Sequence, residues 1–457
     1  MNIVFASVQK ERNIALLVFA LINVIIIDIE VSNVSDIIGK QLSTRPGVIV
    51  FTILATAYLT IQILILRYVK NRSSIIRIKS NSLNIINRIV SIAQYVFIVV
   101  FLILILQIIF YSEYYVVWLI IVLGLTNFLG IIVMSLLAKW LFVWYKAKKD
   151  LSILLYVVSC ILFSITAATA ILFMGTILSS KPSSIFPNPQ VYFPSFEASS
   201  AMGFLNYIYY FGGIISFITM WVATVLLLRY YSRRIGKMKY WLICGAPLAF
   251  FLGQLFINIL YLLTPANTFN IQDQLILIFY YSIVFTLSST VGGILFGLPF
   301  WMAAKNIQSY DTKKGNIKEY MNICGYGMAL FWASGSATVV QTPYPPFGLV
   351  SIALIGISSY LLLVGLYFSA ISVSHDTTLR KSIRRFALEE TKLLDNIGSG
   401  QIEQEINKRV RMLAERIATS EMSSQLGKEF NEQSLDNDEL KEYFVQVLDE
   451  IKKERKE

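Results

Sequence analysis

The chain has 457 residues, a formal net charge of +11, 56 % hydrophobic residues and 15 % charged residues. An average soluble domain carries roughly 25 % charged residues, so this chain has too little charge to cover a soluble surface. The composition excludes a soluble globular enzyme, a disordered chain and a fibrous protein. It predicts an all-α, polytopic helical membrane protein.

Ten stretches are long and apolar enough to cross a bilayer, because a hydrocarbon core of about 30 Å requires about 20 apolar residues in a helix. They cover residues 13–32, 47–68, 89–111, 115–138, 151–179, 204–230, 240–264, 275–303, 319–340 and 349–373. The first stretch also has the length of a signal peptide. No small-x-small cleavage site follows it, so we expect an uncleaved span and a transmembrane domain over residues 1–373.

The distribution of basic residues predicts the orientation of these spans. Residues 1–373 contain 24 Lys and Arg residues. If the N-terminus is cytoplasmic, 21 of them lie in cytoplasmic segments and only Lys40, Arg45 and Lys181 lie outside. This bias follows the positive-inside rule and predicts a cell-membrane protein with both termini in the cytoplasm. Because the basic residues flank spans, membrane lipid is the expected partner and nucleic acid is not.

The interiors of the predicted spans lack acidic, basic and histidine residues. Asp28 and Lys139 lie near span ends, where a charged side chain is expected to reach the lipid headgroups. This pattern disfavours a proton-coupled carrier, which needs a titratable relay in the membrane. Neutral polar residues are present, and Gln254 and Asn258 lie four apart on one face of the seventh span. Such residues form hydrogen bonds between helices or line a ligand cavity.

The eighth and ninth spans are rich in small residues. Small residues allow helices to pack closely, and glycine pairs also permit the unwound backbone that transporters use at substrate sites. Close packing and a ligand pocket both fit this pattern. The candidate ligand-binding residues are Gln254, Asn258, Ser289, Gly292, Gly293, Gly325, Gly327 and Ser334.

Residues 374–457 form a different region, with 15 basic residues, 18 acidic residues and no proline. This composition favours helix, and we expect a cytoplasmic tail of three helices in which Gly398-Ser399-Gly400 breaks or kinks the chain. An apolar stripe in the tail is predicted to bind a cytoplasmic protein, to mediate self-association through residues 379–451, or to pack within the chain. The stripe consists of Ile406, Val410, Leu413 and Ile417.

The sequence contains no evident set of catalytic or metal-binding residues. Its three cysteines, Cys160, Cys244 and Cys324, all lie in predicted spans and lack the spacing of metal ligands. The single histidine, His375, follows the last span as a phosphorylated histidine does in a sensor kinase, but no phosphate-binding loop follows it. We therefore predict that the protein is not an enzyme and has no cofactor and no metal.

Several segments at the end of the chain carry a resemblance. They are Thr342–Gly348, Ser358–Tyr360, Tyr367–Val373, Leu379–Arg385, Lys392–Gly398 and Glu403–Ile406. Together they cover about the last quarter of the chain, and they resemble an uncharacterised archaeal family of polytopic membrane proteins with a helical cytoplasmic tail. The resemblance implies the architecture already predicted and no known activity.

Three functions fit these patterns. The first is a sensor or signalling protein that passes a membrane or ligand signal to a partner, favoured by the charged, striped tail that follows the last span. The second is a transporter or channel built on the small residues of the eighth and ninth spans. The third is a non-catalytic subunit of a membrane complex.

Overall fold

The computed structural model describes residues 11–33, 43–74, 81–186, 201–229, 231–263, 271–308, 316–334, 344–375, 397–404 and 406. The contacts divide the chain into a unit of Met1–Gln401 and a unit of Ile402–Glu457. Eleven helices lie in the described part of residues 11–375, together with one pair of very short strands.

The helices follow one another along the chain and are long. They are α1 (Glu11–Asn33), α2 (Arg45–Ser74), α3 (Asn81–Tyr111), α4 (Val116–Lys148), α5 (Leu151–Ser179), α6 (Ala201–Arg229), α7 (Ser232–Ile235), α8 (Lys237–Leu263), α9 (Ile271–Gln308), α10 (Asn316–Ala333) and α11 (Leu349–His375). Strand β1 (Tyr114–Tyr115) pairs antiparallel with β2 (Ser184–Ile185). Residues 397–404 are also helical.

Each of the ten predicted spans coincides with a long helix, which confirms the all-α polytopic architecture. Within the described residues, the eight helices α1–α6, α9 and α11 are long and apolar enough to cross a membrane. Helices α8 and α10 occupy the seventh and ninth predicted spans. In the ninth, α10 ends at Ala333 and Ser334 lies in a turn, and residues 335–340 of the predicted span lie outside the described residues. Serine and glycine follow at this point in the sequence, and both residue types favour helix ends.

A two-residue connection makes α4 and α5 antiparallel neighbours. Lys149 ends α4 in the left-handed conformation with φ of 50°, and its amide donates to the carbonyl of Tyr145. Asp150 then begins α5, since its carboxylate accepts a hydrogen bond of 2.8 Å from the amide of Ser152. This is the arrangement of a helix cap that reverses the chain.

Apolar side chains cover the outside of the helical unit. Helix α3 shows this most clearly, because a stripe at steps of three, four or seven residues is exposed along its whole length. The stripe consists of Ile85, Ile89, Ile92, Val99, Leu102, Leu106 and Ile109. Hydrocarbon chains solvate such a surface and water does not. With the eight long apolar helices, it identifies the chain as a multi-pass integral membrane protein.

Helix α11 lies in the interior. The most apolar stretch of α11 is 100 % buried inside the protein, whereas the corresponding stretches of the other seven spans are 39–61 % buried. Five helices contact it, namely α1, α2, α3, α4 and α10. The last apolar helix of the chain is therefore surrounded by protein instead of lipid.

Candidate functional site

A buried carboxylate holds the N-terminus of α11. Asp28 of α1 accepts hydrogen bonds from the backbone amides of Gly348 (2.9 Å) and Ser351 (3.0 Å). A negative charge is favourable here because the first amides of a helix lack intrahelical acceptors and the helix dipole is positive. The prediction that Asp28 reaches the lipid headgroups is wrong, since its side chain is fully buried and caps α11. Among the described Asp, Glu, Lys, Arg and His residues, Asp28 is the one with a buried side chain.

The residues around Asp28 form one end of the helical unit, which we name the cap end. Tyr344 stacks on Tyr114 of β1, with 6.2 Å between ring centroids, and donates a hydrogen bond of 3.4 Å to the carbonyl of Ile108. Phe347 packs edge-on against Phe51 of α2, with 5.8 Å between centroids. The chain that leads into α11 is therefore fixed to α2, α3 and β1 as well as to α1.

The strand pair lies at the cap end too, because Tyr114 pairs with Ile185 of β2. Burial of the Tyr114 hydroxyl raises its pKa. Lys181, shortly before β2, is also largely removed from solvent, and desolvation lowers the pKa of its ammonium group from 10.5 to about 8. This end of the unit therefore carries a lysine whose charged form is disfavoured by burial.

Two further polar side chains contact α11 along its length. The hydroxyl of Thr126 in α4 donates to the carbonyl of Ile352 (3.1 Å) and accepts from the amide of Gly356 (3.1 Å). The hydroxyl of Tyr360 donates to the side-chain oxygen of Asn87 in α3 (3.0 Å). Helices α1, α4 and α3 thus each supply one polar contact to α11.

At the opposite end of α11, which we name the tail end, residues 397–401 pack against the helical unit. Gly398 lies so close to Val373 that a Cβ atom would overlap that side chain, and Ile397 is fully buried. A Cβ at Gly400 would lie 2.9 Å from the Cα of Trp144 in α4. The sequence predicts that the chain breaks or kinks at these glycines. A break is wrong, because residues 397–404 are helical, and the glycines permit close contact.

One side-chain hydrogen bond accompanies this packing. The indole nitrogen of Trp144 donates to the side-chain oxygen of Gln401 at 3.3 Å, and both residues are buried. The close contacts of Gly398 and Gly400, the buried side chain of Ile397 and this neutral hydrogen bond therefore hold the start of the tail against the membrane unit.

Several candidate ligand-binding glycines lie where α9 and α10 cross. A Cβ at Gly293 would lie 2.5 Å from the carbonyl oxygen of Ala329, and a Cβ at Gly297 would lie 2.6 Å from that of Gly325. The indole ring of Trp301 rests on Gly325. Backbones this close require residues without side chains, so these glycines act in helix packing.

The remaining candidates do not converge on one point. Gly292 faces Phe217 of α6, whereas Gly327 faces α11, where a Cβ would lie 2.6 Å from the amide of Leu362. Ser334 is buried, and its hydroxyl donates to the carbonyl of Phe331 in the last turn of α10. Ser289 is half-buried. The side chains of Gln254 and Asn258 lie outside the described part of the structure. In the predicted tail stripe, Ile406 is a half-buried helical residue, and the described residues do not include Val410, Leu413 and Ile417.

A hydrogen bond between two buried amide side chains joins α2 to α3. The side-chain nitrogen of Gln62 in α2 donates to the side-chain oxygen of Gln94 in α3 at 2.7 Å, and both residues are buried. The other oxygen and nitrogen of this amide pair have no hydrogen-bond partner in the described structure. The pair joins α2 to α3 beside α11.

Sequence reasoning missed the residues that hold α11. Thr126, Asn87 and Trp144 belong to common residue types at unremarkable spacings, and their partners lie far away in the chain. The sequence did contain one signal for an interior helix: α11 combines two glycines with six serines, which reduces its lipid-facing apolar surface.

Comparison of the chain with protein-family models, with curated proteins and with solved structures finds no significant match. The resemblance to an archaeal family stays a prediction. Within the described residues, no group of three or more His, Cys, Asp and Glu side chains is placed to hold a metal ion. The enclosed helix α11 and its contacts at both ends are therefore the best-defined candidate site.

Proposed function

We propose that this integral membrane protein is a signalling protein that passes a change at the cap end through α11 to its tail, and through the tail to a cytoplasmic partner. One observation carries the proposal. Helix α11 is enclosed by protein, its N-terminus is bound by Asp28, and Val373 near its C-terminus contacts the first described residues of the tail.

The length of α11 suits a relay. Its 27 residues correspond to about 40 Å at 1.5 Å per residue, which is enough to connect the two ends of the unit. An enclosed helix shifts only if its packing against its neighbours changes, because protein interiors are close-packed. A ligand or membrane state that alters the contacts of the cap end would therefore change the packing of α11.

The contact at the tail end suits a reversible connection. The hydrogen bond between Trp144 and Gln401 joins two neutral groups. A net contribution of about 0.5–1.5 kcal/mol is typical of such a bond. A cytoplasmic partner of ordinary affinity could displace residues 397–401, and the stripe of Ile406, Val410, Leu413 and Ile417 is the predicted surface for that partner.

Two other functions remain as alternatives, and they predict different results. A transporter or channel built on α9 and α10 would keep its flux without the tail. A structural subunit of a membrane complex would retain its membrane partners without the tail. The contacts of Gly293, Gly297 and Gly325 favour packing over a pocket at this crossing.

The first experiment compares the full chain with a chain that lacks residues 387–457, each purified gently from native membranes. A soluble partner that is retained only by the full chain supports signalling. Membrane subunits retained in both forms support the structural role. A protein that is alone in both forms contradicts both of these functions and leaves transport, which a flux assay in vesicles tests.

The second experiment measures whether the tail contact opens. Cys160, Cys244 and Cys324 are replaced by Ala, and Gln401→Cys is introduced at a position that is 7 % exposed. A soluble maleimide should label this cysteine slowly, and the isolated partner should accelerate labelling. Tyr115→Cys at the cap end, which is 45 % exposed, is the matched control and should react rapidly in every state. An unchanged labelling rate at position 401 with the partner bound contradicts the proposal.

A further inference from the structure

One short part of α11 has an unusual pattern of backbone hydrogen bonds. In a regular α-helix the carbonyl of Ile352 pairs with the amide of Gly356. The hydroxyl of Thr126 lies 3.1 Å from both of these groups and bonds to each of them. It therefore competes with the intrahelical bond, and a side chain inserted at this point is a recognised cause of helix bending.

The next turn of the helix shows the same weakening. The hydroxyl of Ser358 donates to the carbonyl of Leu354 (2.8 Å), and that of Ser359 donates to the carbonyl of Ile355 (2.7 Å). Serine hydroxyls that bond to the carbonyl four residues earlier also favour bending. The four consecutive carbonyls from Ile352 to Ile355 thus each accept a bond from a side-chain hydroxyl.

A glycine makes this arrangement possible. A Cβ at Gly356 would lie 2.9 Å from the Cδ2 atom of Leu129 and 3.4 Å from the hydroxyl oxygen of Thr126. Gly130 of α4 lies one turn further along, and its Cβ position is 3.3 Å from Ile355. The two helices therefore pack closely where the hydrogen bonds of α11 are shared.

The part of α11 beyond this segment is held differently. A Cβ at Gly327 of α10 would lie 2.6 Å from the amide of Leu362, and a Cβ at Gly365 would lie 2.5 Å from the amide of Cys324. These are contacts between backbones, so α10 fixes the second half of α11. Before the segment, only the first turn remains, and Asp28 holds that turn.

We propose that Ile352–Ser359 is a hinge at which the Asp28-capped first turn of α11 changes its angle to the rest of the helix, with the Thr126 hydroxyl as the group that keeps the hinge open. The hinge itself is inferred from these contacts, and only its role in passing a signal rests on the proposed function. A relay needs an element with two arrangements that a ligand can favour unequally. The hinge provides them, because the Gly356 amide can bond to Thr126 or to Ile352.

Hydrogen–deuterium exchange in nanodiscs tests the hinge without any partner or ligand. Thr126→Val keeps the shape of the side chain and removes the hydroxyl, so the intrahelical bond should form alone. Amides in peptides that cover Ile352–Ser359 should then exchange about three- to tenfold more slowly, the factor that corresponds to one net hydrogen bond. Thr126→Ser keeps the hydroxyl and should exchange like the wild type.

A matched control and a second variant make the result specific. Thr60→Val removes a hydroxyl that bonds to the carbonyl of Thr56 in exposed α2, and it should leave exchange in Ile352–Ser359 unchanged. The double variant Ser358→Ala/Ser359→Ala removes the other shared bonds and should also slow exchange there. Unchanged exchange in both the Thr126→Val protein and the double variant overturns the hinge, as does an equal change in the Thr60→Val protein.

The exchange experiment tests the hinge separately from the proposed relay. If exchange slows as expected but the partner never affects labelling at position 401, the hinge exists and the relay fails. If labelling responds to the partner while exchange is unchanged in the variants, the relay operates without this hinge.

Discussion

Helices α3 and α11 are both long, strongly apolar spans, yet they occupy opposite environments. Helix α3 has no glycine and exposes a stripe of large aliphatic side chains along its length, whereas the apolar stretch of α11 is buried on every side. The difference lies in their small and hydroxyl-bearing residues. Lipid solvates large aliphatic side chains as well as protein does, so α3 gains little from being enclosed. Helix α11 gains more, because its small residues allow the backbones of neighbouring helices to come close.

One of the largest effects should come from filling the contact between α10 and α11. In Gly365→Ala the new Cβ would meet the backbone of Cys324 at 2.5 Å, and backbone atoms cannot move aside. We expect a loss of about 3 kcal/mol of unfolding free energy, the upper part of the usual range for overpacking. Unfolding in SDS titrations measures it. Gly124→Ala in α4 is the control, because nothing lies within 4 Å of its Cβ position, and an equal loss there would contradict the interpretation.

Removal of the Asp28 carboxylate should have the next largest effect. Asp28→Ala leaves the amides of Gly348 and Ser351 buried without an acceptor, and we expect a loss of about 2–4 kcal/mol. Asp28→Asn retains one acceptor oxygen and should lose less. Asp150→Ala removes a helix cap at the edge of the unit and should cost about 1 kcal/mol. The stabilities of the three variants are compared by thermal unfolding, monitored by size-exclusion chromatography. Equal losses for Asp28→Ala and Asp150→Ala would show that burial of the cap is unimportant.

The tail end offers a smaller effect. Trp144→Phe keeps the aromatic packing against Gly400 and removes the hydrogen bond to Gln401. We expect the contact to weaken by about 0.5–1.5 kcal/mol. This corresponds to a roughly two- to tenfold faster maleimide reaction at Ile397→Cys, a buried reporter position that leaves Gln401 in place. Trp241→Phe, at an exposed tryptophan of α8, is the control and should leave the rate unchanged.

Lys181 provides a pH-dependent comparison outside the spans. Its pKa is about 8 in the folded protein against 10.5 in the unfolded chain, so the unfolded chain binds more protons between these values. The cost of the buried charge is fully present below pH 8, and stability should rise as the pH increases from 8 to 10.5. Lys181→Met should remove this part of the pH dependence. Melting temperatures of the wild type and Lys181→Met are measured from pH 7 to 10. Parallel curves of melting temperature against pH would contradict the assignment of this pH dependence to Lys181.

The smallest effect should follow truncation of the lipid-facing stripe of α3. Ile92→Ala removes a side chain that is 64 % exposed and leaves no internal cavity. We expect a change below about 0.5 kcal/mol, as for other surface substitutions. Leu361→Ala in α11, at a residue that is 1 % exposed, should lose about 2–5 kcal/mol. Similar losses in SDS unfolding would remove the distinction between the two helices.

The sequence by itself determined the class of protein and the positions of the long helices. Apolar runs of sufficient length must form helices in a bilayer, because every backbone polar group has to be paired within its own segment. For the same reason the ten predicted spans all coincide with long helices. The helix does end within the ninth predicted span, at Ala333, and the chain is not broken at Gly398-Ser399-Gly400. Orientation of the termini and the archaeal resemblance remain predictions.

Only the tertiary structure decided which helix is enclosed and what holds it. The partners of Asp28, Thr126 and Trp144 lie more than 200 residues away in the chain, and no periodicity relates residues so far apart. The same holds for the glycines of α9 and α10, whose sequence pattern fits a pocket and a close crossing equally well. The neighbouring backbone determines which of the two forms, because a glycine that touches a carbonyl of another helix leaves no space for a ligand at that point.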